Sequence, residues 1–263
     1  MRLLKRIITY WKFSDLPLRD RALSLVLKSS LVIFKLQKRQ MSRFLPNLNL
    51  FPWQRRSLED ARKDYNSVDV LRRLKLIEKY IDFASIDSFL ELGCNSGGNL
   101  IPLAKKYPNI AFTGVDFNNT ALNFAQKTSD SLGLTNIQFK LFDLRSQTFR
   151  GFLLSGLNRF DVIFSWATLI YVHPHYIKSL ISALVNNFNL KMVLLEQDVE
   201  TKNKLGELVK DEPTWKRSYA QLIRNSPDNL EYSITLELDA LSLEDWHPGG
   251  GFGKVIICSK TFK

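Results

Sequence analysis

Short apolar runs alternate with stretches in which apolar residues recur every three or four positions, from about residue 57 onward. Runs of the first kind are typical of buried strands, and the second pattern is typical of helices that pack one face against a sheet. The predicted strands are 88–93, 110–116, 136–142, 160–165, 191–197, 232–238 and 254–259. The predicted helices are 98–107, 119–132, 174–187 and 214–224. This alternation predicts an α/β domain built on a doubly wound, mostly parallel sheet of seven strands.

A further helix is predicted to lead into the first strand. Ser57 followed by Asp60 is a typical helix start, with Ser57 as the N-cap. The helical pattern continues, with a possible break, to Ile81, and the apolar positions from 71 to 81 fall on one face. We therefore expect a helix over residues 57–81 that leads into the first strand.

The segment 89–99, FLELGCNSGGN, has the most specific pattern in the chain. An apolar strand ends, small residues form a turn, and a helical pattern follows, which is where nucleotide-like ligands bind in α/β domains. The dinucleotide fingerprint G-x-G-x-x-G is broken because Asn95 stands at its middle glycine. Glu91, two residues before Gly93, is unfavourable beside an anionic pyrophosphate and suits a ligand with an ammonium group. S-adenosylmethionine (SAM) carries such a group.

Two further acids stand at the ends of the next two predicted strands. Asp116 lies 23 residues after Gly93, where an acid accepts hydrogen bonds from ribose hydroxyls. Asp143, between Phe142 and Leu144, could accept a hydrogen bond from an adenine amino group. Either acid alone could be a turn or cap residue, but their regular order after successive strands favours cofactor binding.

Taken together, four segments resemble the class I SAM-dependent methyltransferases: 91–97 (ELGCNSG), 115–117 (VDF), 142–144 (FDL) and 160–165 (FDVIFS). The resemblance covers about residues 57–263 and implies a Rossmann-like fold whose last strand runs antiparallel between its neighbours. It departs from the family at Asn95, where most members carry glycine. The Gly93-Cys94-Asn95 variant followed by Asn99 is similar to small methyltransferases of surface-sugar biosynthesis.

The residues show no metal-ligand set, and the resemblance implies SAM as the cofactor. The residues expected to bind it are Glu91, Gly93, Cys94, Asn95, Gly97, Asp116, Phe117, Asp143, Leu144 and Ser165. Cys94 is more typical of a small packing residue than of a nucleophile. Residues 165–168 (SWAT) lack both the Asn/Asp-Pro-Pro-Tyr motif of base-modifying enzymes and the clustered carboxylates of metal-dependent ones.

Histidines are the candidate general bases, because histidine titrates near neutral pH. His173 and His175 follow the fourth strand, and His247 lies in the connection between the last two strands. All three histidines are expected at the carboxyl edge of the sheet. His173 and His175 are the predicted catalytic residues, and His247 is a less favoured candidate. A histidine next to a proline also commonly starts a helix, and that alternative stays open.

The net charge of +11 is confined to the first part of the chain. Residues 1–56 hold 13 Lys and Arg against two Asp, and the remainder holds 24 of each sign. We therefore divide the chain into a basic helical N-terminal appendage (1–56) and a methyltransferase domain (57–263). The appendage could cap the domain, lie on an anionic membrane surface through residues 1–40, or, less favoured, bind nucleic acid.

The two cysteines form no disulfide or zinc pattern, which favours a reducing compartment. The apolar stretch 18–36 is interrupted by Lys28 and Lys35, so no membrane-spanning helix is expected there. The expected location is cytoplasmic, with possible peripheral contact at the inner membrane face.

These patterns favour a SAM-dependent methyltransferase acting on a small or lipid-linked acceptor, with a sugar hydroxyl preferred. One alternative is a nucleic-acid (RNA) methyltransferase that holds phosphates with the basic N-terminus. Another is a SAM-binding domain without turnover.

Overall fold

The computed structural model describes residues 57–66, 70–154, 160–197, 206–208, 214–226, 232–241 and 253–260. The helices are α1 (Leu58–Asn66), α2 (Val70–Tyr80), α3 (Leu100–Lys106), α4 (Asn119–Ser131), α5 (Gln147–Leu154), α6 (Pro174–Val185) and α7 (Tyr219–Arg224). The strands are β1 (Ser88–Leu92), β2 (Ala111–Asp116), β3 (Ile137–Leu141), β4 (Phe160–Trp166), β5 (Phe188–Glu196), β6 (Glu207–Leu208), β7 (Trp215–Lys216), β8 (Tyr232–Leu241) and β9 (Gly253–Lys260). The predicted appendage 1–56 and His247 lie outside the described residues.

Seven strands form one sheet in the order β3-β2-β1-β4-β5-β9-β8. Strands β1 to β5 pair in parallel, and β9 runs antiparallel to both of its neighbours, β5 and β8. The strand order reverses beside β1, so a crevice opens at the carboxyl ends of β1 and β4, where α/β sheets bind ligands. This topology confirms the predicted doubly wound, seven-stranded fold.

Helices cover both faces of the sheet, which explains why its strands are apolar on both sides. Side chains of β1 alternate between the two layers: Phe89 faces one apolar cluster, and Leu90 faces the other. The first cluster contains residues of α2, α3 and α4, such as Ile77 and Leu100. The second contains residues of α5, α6 and α7, such as Phe149. Glu91 is thus a buried acid in a strand whose other buried residues are all apolar.

The predicted start at Ser57 is confirmed as a reciprocal cap. The Ser57 amide donates to Asp60 Oδ2 at 2.8 Å, and the Asp60 amide donates to Ser57 Oγ at 3.2 Å. Helix α1 then packs on α4, where the rings of Tyr65 and Phe124 meet edge to face at 5.7 Å. This contact brings α1 near the loop that follows β1.

Two parts of the sequence interpretation were wrong or incomplete. The predicted helix 214–224 begins only at Tyr219, because the Ser218 hydroxyl caps it by accepting from the Gln221 amide. The preceding residues instead form β7, paired antiparallel with β6. Helix α5 was not predicted, although the Ser146 hydroxyl accepts from the Phe149 amide at its first turn. Both starts carry a serine cap that the apolar pattern alone does not reveal.

No helix among the described residues is both long enough and apolar enough to cross a membrane.

Candidate active site

The loop between β1 and α3 needs glycine for two separate reasons. Gly93 and Gly97 have φ of +70° and +77°, a region that side chains with a Cβ avoid, and Asn95 also has a positive φ of +48°. A Cβ on Gly93 would also lie 2.2 Å from Oγ1 of Thr168, so the loop after β4 packs directly on this glycine. The loop geometry is therefore coupled to the end of β4.

Glu91 is buried immediately before this loop. Its Oε1 accepts a hydrogen bond of 2.6 Å from Nδ2 of Asn99, and its Oε2 is buried without a hydrogen-bond partner. Burial raises the pKa of Glu91 to about 7, although the Asn99 bond and the charge of Arg73 favour the ionised form. An unpaired buried carboxylate oxygen is costly, and a ligand ammonium group would relieve that cost. The site thus fits the amino group of SAM.

Arg73 of α2 was not predicted as a site residue. Its Nη1 donates to Asn99 Oδ1 at 3.0 Å, and its guanidinium lies 4.9 Å from the ring centre of Trp166 at the end of β4. Asn99 therefore joins the arginine to Glu91 and is oriented by both. The only sequence signal was a basic residue within an amphipathic helix, and such a residue more often lies on the solvent-exposed face of the helix.

Asp116, at the end of β2, is held by backbone amides. Its Oδ2 accepts from the Asn95 amide at 2.9 Å, and its Oδ1 accepts from the Asn118 amide at 2.8 Å. Burial raises the pKa of Asp116, and these hydrogen bonds act in the opposite direction. The Phe117 amide also bonds this carboxylate, which keeps lone-pair capacity for a further donor. Phe117 follows directly and is half-buried, so the loop and the acid fit a ribose diol.

Helix α1 also reaches this loop. Asp64 Oδ2 accepts a hydrogen bond of 2.9 Å from the side-chain amide of Asn95. Asn95, which stands where the resemblance leads one to expect glycine, thus connects the loop to α1.

Asp143 is placed differently from the other strand-end acids. It lies beyond the end of β3, and its carboxylate binds Arg145 through both oxygens, with distances of 2.8 and 3.0 Å to Nε. Leu144 is buried in the apolar core beneath it. An adenine amino group would have to share the Asp143 carboxylate with this guanidinium.

The side chains of Cys94 and Ser165 contact other groups of the protein. The Cys94 sulfur packs against Gly114, where an added Cβ would lie 2.7 Å from it. Burial raises the pKa of the Cys94 thiol well above its usual value, so only its backbone is suited to a ligand. The Ser165 hydroxyl donates to Oε1 of Glu196 at 2.5 Å, which makes it a positioning group for that acid.

His173 caps α6, in agreement with the alternative that histidine starts a helix. Its Nδ1 accepts a hydrogen bond of 3.1 Å from the His175 amide, and its ring meets Trp215 edge to face at 5.0 Å. A neutral imidazole that accepts at Nδ1 carries its proton on Nε2. His175 is exposed at the next turn. Both residues lie at the carboxyl edge, after β4.

Glu196, at the end of β5, was missed as a site residue. It is fully buried, and its Oε1 also accepts from the amides of Thr168 and Leu169 at 3.0 and 2.9 Å. Burial raises its pKa to about 6, against the effect of these hydrogen bonds, and its Oε2 is buried without a partner. An acid at the end of a predicted strand was the available signal, as it was for Glu91 and Asp116.

Comparison with protein families identifies the domain. Residues 85–239 match a family described as a methyltransferase domain. The chain belongs to this methyltransferase family. Since the match covers more than half of the chain, it confirms the predicted family and enzyme class, with SAM as the cofactor.

Solved structures share the fold of this methyltransferase. A SAM-dependent methyltransferase from Methanosarcina mazei is 20% identical, covers 72% of this chain and 98% of its own, and has a TM-score of 0.51. An O-methyltransferase of Brevibacillus brevis, solved with S-adenosyl-L-homocysteine, is 15% identical, covers 84% and 80%, and has a TM-score of 0.54. At these identities the likeness shows the fold alone.

Curated relatives match over short segments. An uncharacterized protein of Rickettsia prowazekii is 54% identical over 50 residues, which is 19% of this chain and 9% of that protein. The ribosomal RNA small subunit methyltransferase G of Macrococcus caseolyticus is 39% identical over 60 residues, 23% of this chain and 25% of that protein. The methyltransferase thus spans no more than a quarter of either relative.

Proposed function

We propose that the protein binds SAM in the crevice beside β1 and methylates a hydroxyl oxygen of a small acceptor. The observation that carries this proposal is the buried Glu91 carboxylate, whose Oε2 lacks a partner, beside the amide-held carboxylate of Asp116. An ammonium group would supply the missing partner of Glu91 Oε2, and a ribose diol would donate to lone pairs of Asp116 that the backbone amides leave available.

The remaining cofactor contacts are proposed from the same loop. Backbone groups of Gly93, Cys94, Asn95 and Gly97 would line the cofactor, and Asp143 would accept from the adenine amino group. Bound SAM supplies a methyl group on a positively charged sulfur. The task left to the protein is to present an acceptor oxygen and to remove its proton.

Three residues at the carboxyl edge are candidates for that proton transfer. The sequence interpretation proposes His173 and His175, and the structure adds Glu196. A pKa of about 6 and an unpartnered Oε2 suit Glu196 to act as a general base near neutral pH. For His173, taking up a proton at Nδ1 would release the helix cap. We therefore place Glu196 first and retain the histidines.

For the acceptor we propose a sugar or a glycan precursor, free or lipid-linked. The support is the variant Gly93-Cys94-Asn95 with Asn99, which resembles methyltransferases of surface-sugar biosynthesis. In the structure Asn95 donates to Asp64 and Asn99 donates to Glu91, so both variant positions take part in hydrogen bonds around the loop between β1 and α3. A lipid-linked acceptor would also be compatible with a basic N-terminal segment at an anionic membrane.

RNA is the second candidate acceptor. It is favoured by the segment that is 39% identical to a ribosomal RNA methyltransferase and by the net charge of +11 in residues 1–56. This candidate predicts binding to RNA that weakens steeply as salt rises, because bound phosphates release counterions. A small acceptor predicts little salt dependence.

The test begins with calorimetric titration of the full chain with SAM, its demethylated product and NAD. We expect saturable binding of the first two and none of NAD. Asp116→Ala should abolish binding, whereas Asp130→Ala, an exposed acid at the end of α4, should leave it unchanged. Binding of NAD alone, or of no ligand by a folded sample, would contradict the proposal.

An acceptor screen by mass spectrometry follows, with sugars first and RNA second. A mass gain of one methylene, with formation of the demethylated cofactor, would establish turnover. Cofactor binding without any transfer in either set would instead favour a SAM-binding domain without catalysis.

A further inference from the structure

A buried arginine lies at the carboxyl edge of the sheet, beyond β4 and β5. Arg217 is fully buried, and its Nη2 donates to the carbonyl of Val172 at 2.6 Å. Its Nε and Nη1 are buried without a hydrogen-bond partner. These two nitrogens carry three N–H groups of a guanidinium that remains charged in proteins, so a large part of its bonding capacity is unused.

A second buried donor lies on the same face of the chain. Trp215 stands two residues earlier, and in extended backbone residues i and i+2 point to the same side. The indole Nε1 of Trp215 is also buried without a partner. Two side chains thus offer unpaired N–H donors from one short segment.

This segment packs on the candidate active site. Strand β7 contacts the 3₁₀ turn Leu169–Tyr171 that follows β4, and Trp215 meets the ring of His173. Glu196 is close enough for its charge to favour the charged form of Arg217. The donors therefore lie beside the side chains proposed for proton transfer, and apart from the Glu91 and Asp116 pair at β1 and β2.

The guanidinium of Arg217 lies 5.8 Å from the ring centre of Tyr219 and has no carboxylate partner within the described part of the chain. Burial lowers the pKa of Arg217, and the fields of Tyr219 and Glu196 partly oppose this. No carboxylate of a described residue is hydrogen-bonded to the guanidinium or forms an ion pair with it. A buried arginine charge without a counterion is strongly unfavourable unless a ligand supplies one.

We propose that Arg217, with Trp215, binds an oxyanion of the acceptor, so that the substrate is an acidic molecule bearing a hydroxyl group. A carboxylate or a phosphate ester satisfies this chemistry, because both present acceptor oxygens with negative charge to N–H donors. The inference rests on the proposed methyl transfer and narrows its acceptor. A sugar acid or a sugar phosphate fits both.

The test uses the full chain saturated with the demethylated cofactor, titrated calorimetrically with inorganic phosphate or with acetate at constant ionic strength. We expect saturable binding of at least one anion to the wild-type protein. Arg217→Gln should weaken that binding at least tenfold without changing cofactor affinity. Arg224→Gln, the same change at an exposed position in the last turn of α7, should have no effect.

Trp215→Phe is the second variant, which keeps the arginine and removes one donor. It should weaken anion binding severalfold even if Arg217→Gln does not fold. A preference for phosphate would indicate a phosphorylated acceptor, and a preference for acetate a carboxylated one.

Cofactor binding without saturable binding of either anion by the wild-type protein would overturn this inference and leave the proposed function standing. Equal weakening by Arg217→Gln and Arg224→Gln would also overturn it. Absence of cofactor binding would contradict the proposed function itself.

Discussion

Glu91 shows how one residue serves the proposed cofactor site at a cost to the free protein. Its folded pKa of about 7 exceeds the ordinary value of 4.5, so the folded state binds its proton more tightly than the unfolded state does. The stability from this group is therefore present below about pH 4.5 and is lost as pH rises through about 7. The shift corresponds to a loss on the order of 3 kcal/mol.

Glu91→Gln should remove this pH dependence and weaken cofactor binding at least tenfold. An amide cannot pair with the ligand ammonium as a carboxylate does, and it does not ionise. We expect wild-type binding to release protons between about pH 5 and 7, measured calorimetrically in buffers of different ionisation enthalpy. Glu91→Gln should release fewer protons on cofactor binding. Unchanged proton release would show that the cofactor does not interact with the Glu91 carboxyl group. Glu196→Gln is the matched control, because the pKa of Glu196, about 6, is also raised by burial. This variant should bind the cofactor and release protons as the wild-type protein does.

Gly93 and Gly133 separate backbone strain from steric contact at the residue scale. Both have positive φ, +70° and +67°, but an added Cβ meets Thr168 at Gly93 and no atom within 4 Å at Gly133. We expect Gly133→Ala to cost about 1 kcal/mol of unfolding free energy in urea. Gly93→Ala should cost at least about 2 kcal/mol more, because it also causes a clash. Equal losses would mean that the contact with Thr168 is not maintained in solution.

At the scale of elements, the start of α6 links helix stability to a candidate catalytic residue. His173→Ala removes the acceptor for the His175 amide and should cost about 1 kcal/mol, as a lost N-cap does. His173→Asn supplies another capping oxygen and should restore most of that stability in urea unfolding. Methyl transfer that survives in the asparagine variant would exclude His173 as the base, whereas its loss despite a restored helix would support that role.

At the amino ends of the strands, Asp161 links β4 to β5 and to the residues at the start of β1, and we expect no catalytic role for it. Asp161, in β4, accepts from the amides of Asp87 and Ser88 at 2.8 and 2.9 Å and from Asn189 of β5 at 3.1 Å. Burial alone would raise the pKa of Asp161, but these hydrogen bonds lower it below its ordinary value. Its stabilising effect is therefore present above about pH 4 and is lost as pH falls further.

Asp161→Ala should lower the unfolding free energy at neutral pH by about 2 kcal/mol, because several charge-assisted hydrogen bonds are lost. It should leave cofactor affinity unchanged, since the residue lies at the amino end of its strand. Weaker cofactor binding in calorimetry would show that the two edges are coupled.

At the scale of the whole molecule, the net charge is divided unevenly between the two parts of the chain. Residues 1–56 carry the entire excess of +11, and residues 57–263 are balanced. We expect the full chain to sediment with vesicles rich in anionic lipid, and a form starting at Ser57 to remain in solution. Neither form should sediment with vesicles of neutral lipid. Equal partitioning of the two forms onto anionic vesicles would contradict a membrane role for the N-terminus.

Much of the fold follows from local signals in the sequence. The apolar runs predicted the seven sheet strands, because a parallel sheet covered on both faces needs strands that are apolar on both sides. Helix α5 and the true start of α7 were missed, since each depends on a serine cap rather than on periodicity. The short strand β7 exists through its pairing with β6, which no local pattern specifies.

The sequence by itself determined the acids and glycines of the cofactor loop, because backbone geometry and strand-end position are local properties of the chain. Only the tertiary structure decided which side chains join them. Arg73, Glu196 and Arg217 come from separate elements, and their roles depend on burial and on missing partners, which arise when distant segments pack together. The physical reason is that the desolvation and pairing of a charge depend on its three-dimensional surroundings. The conformation of a turn or a strand depends mainly on residues that are adjacent in the sequence.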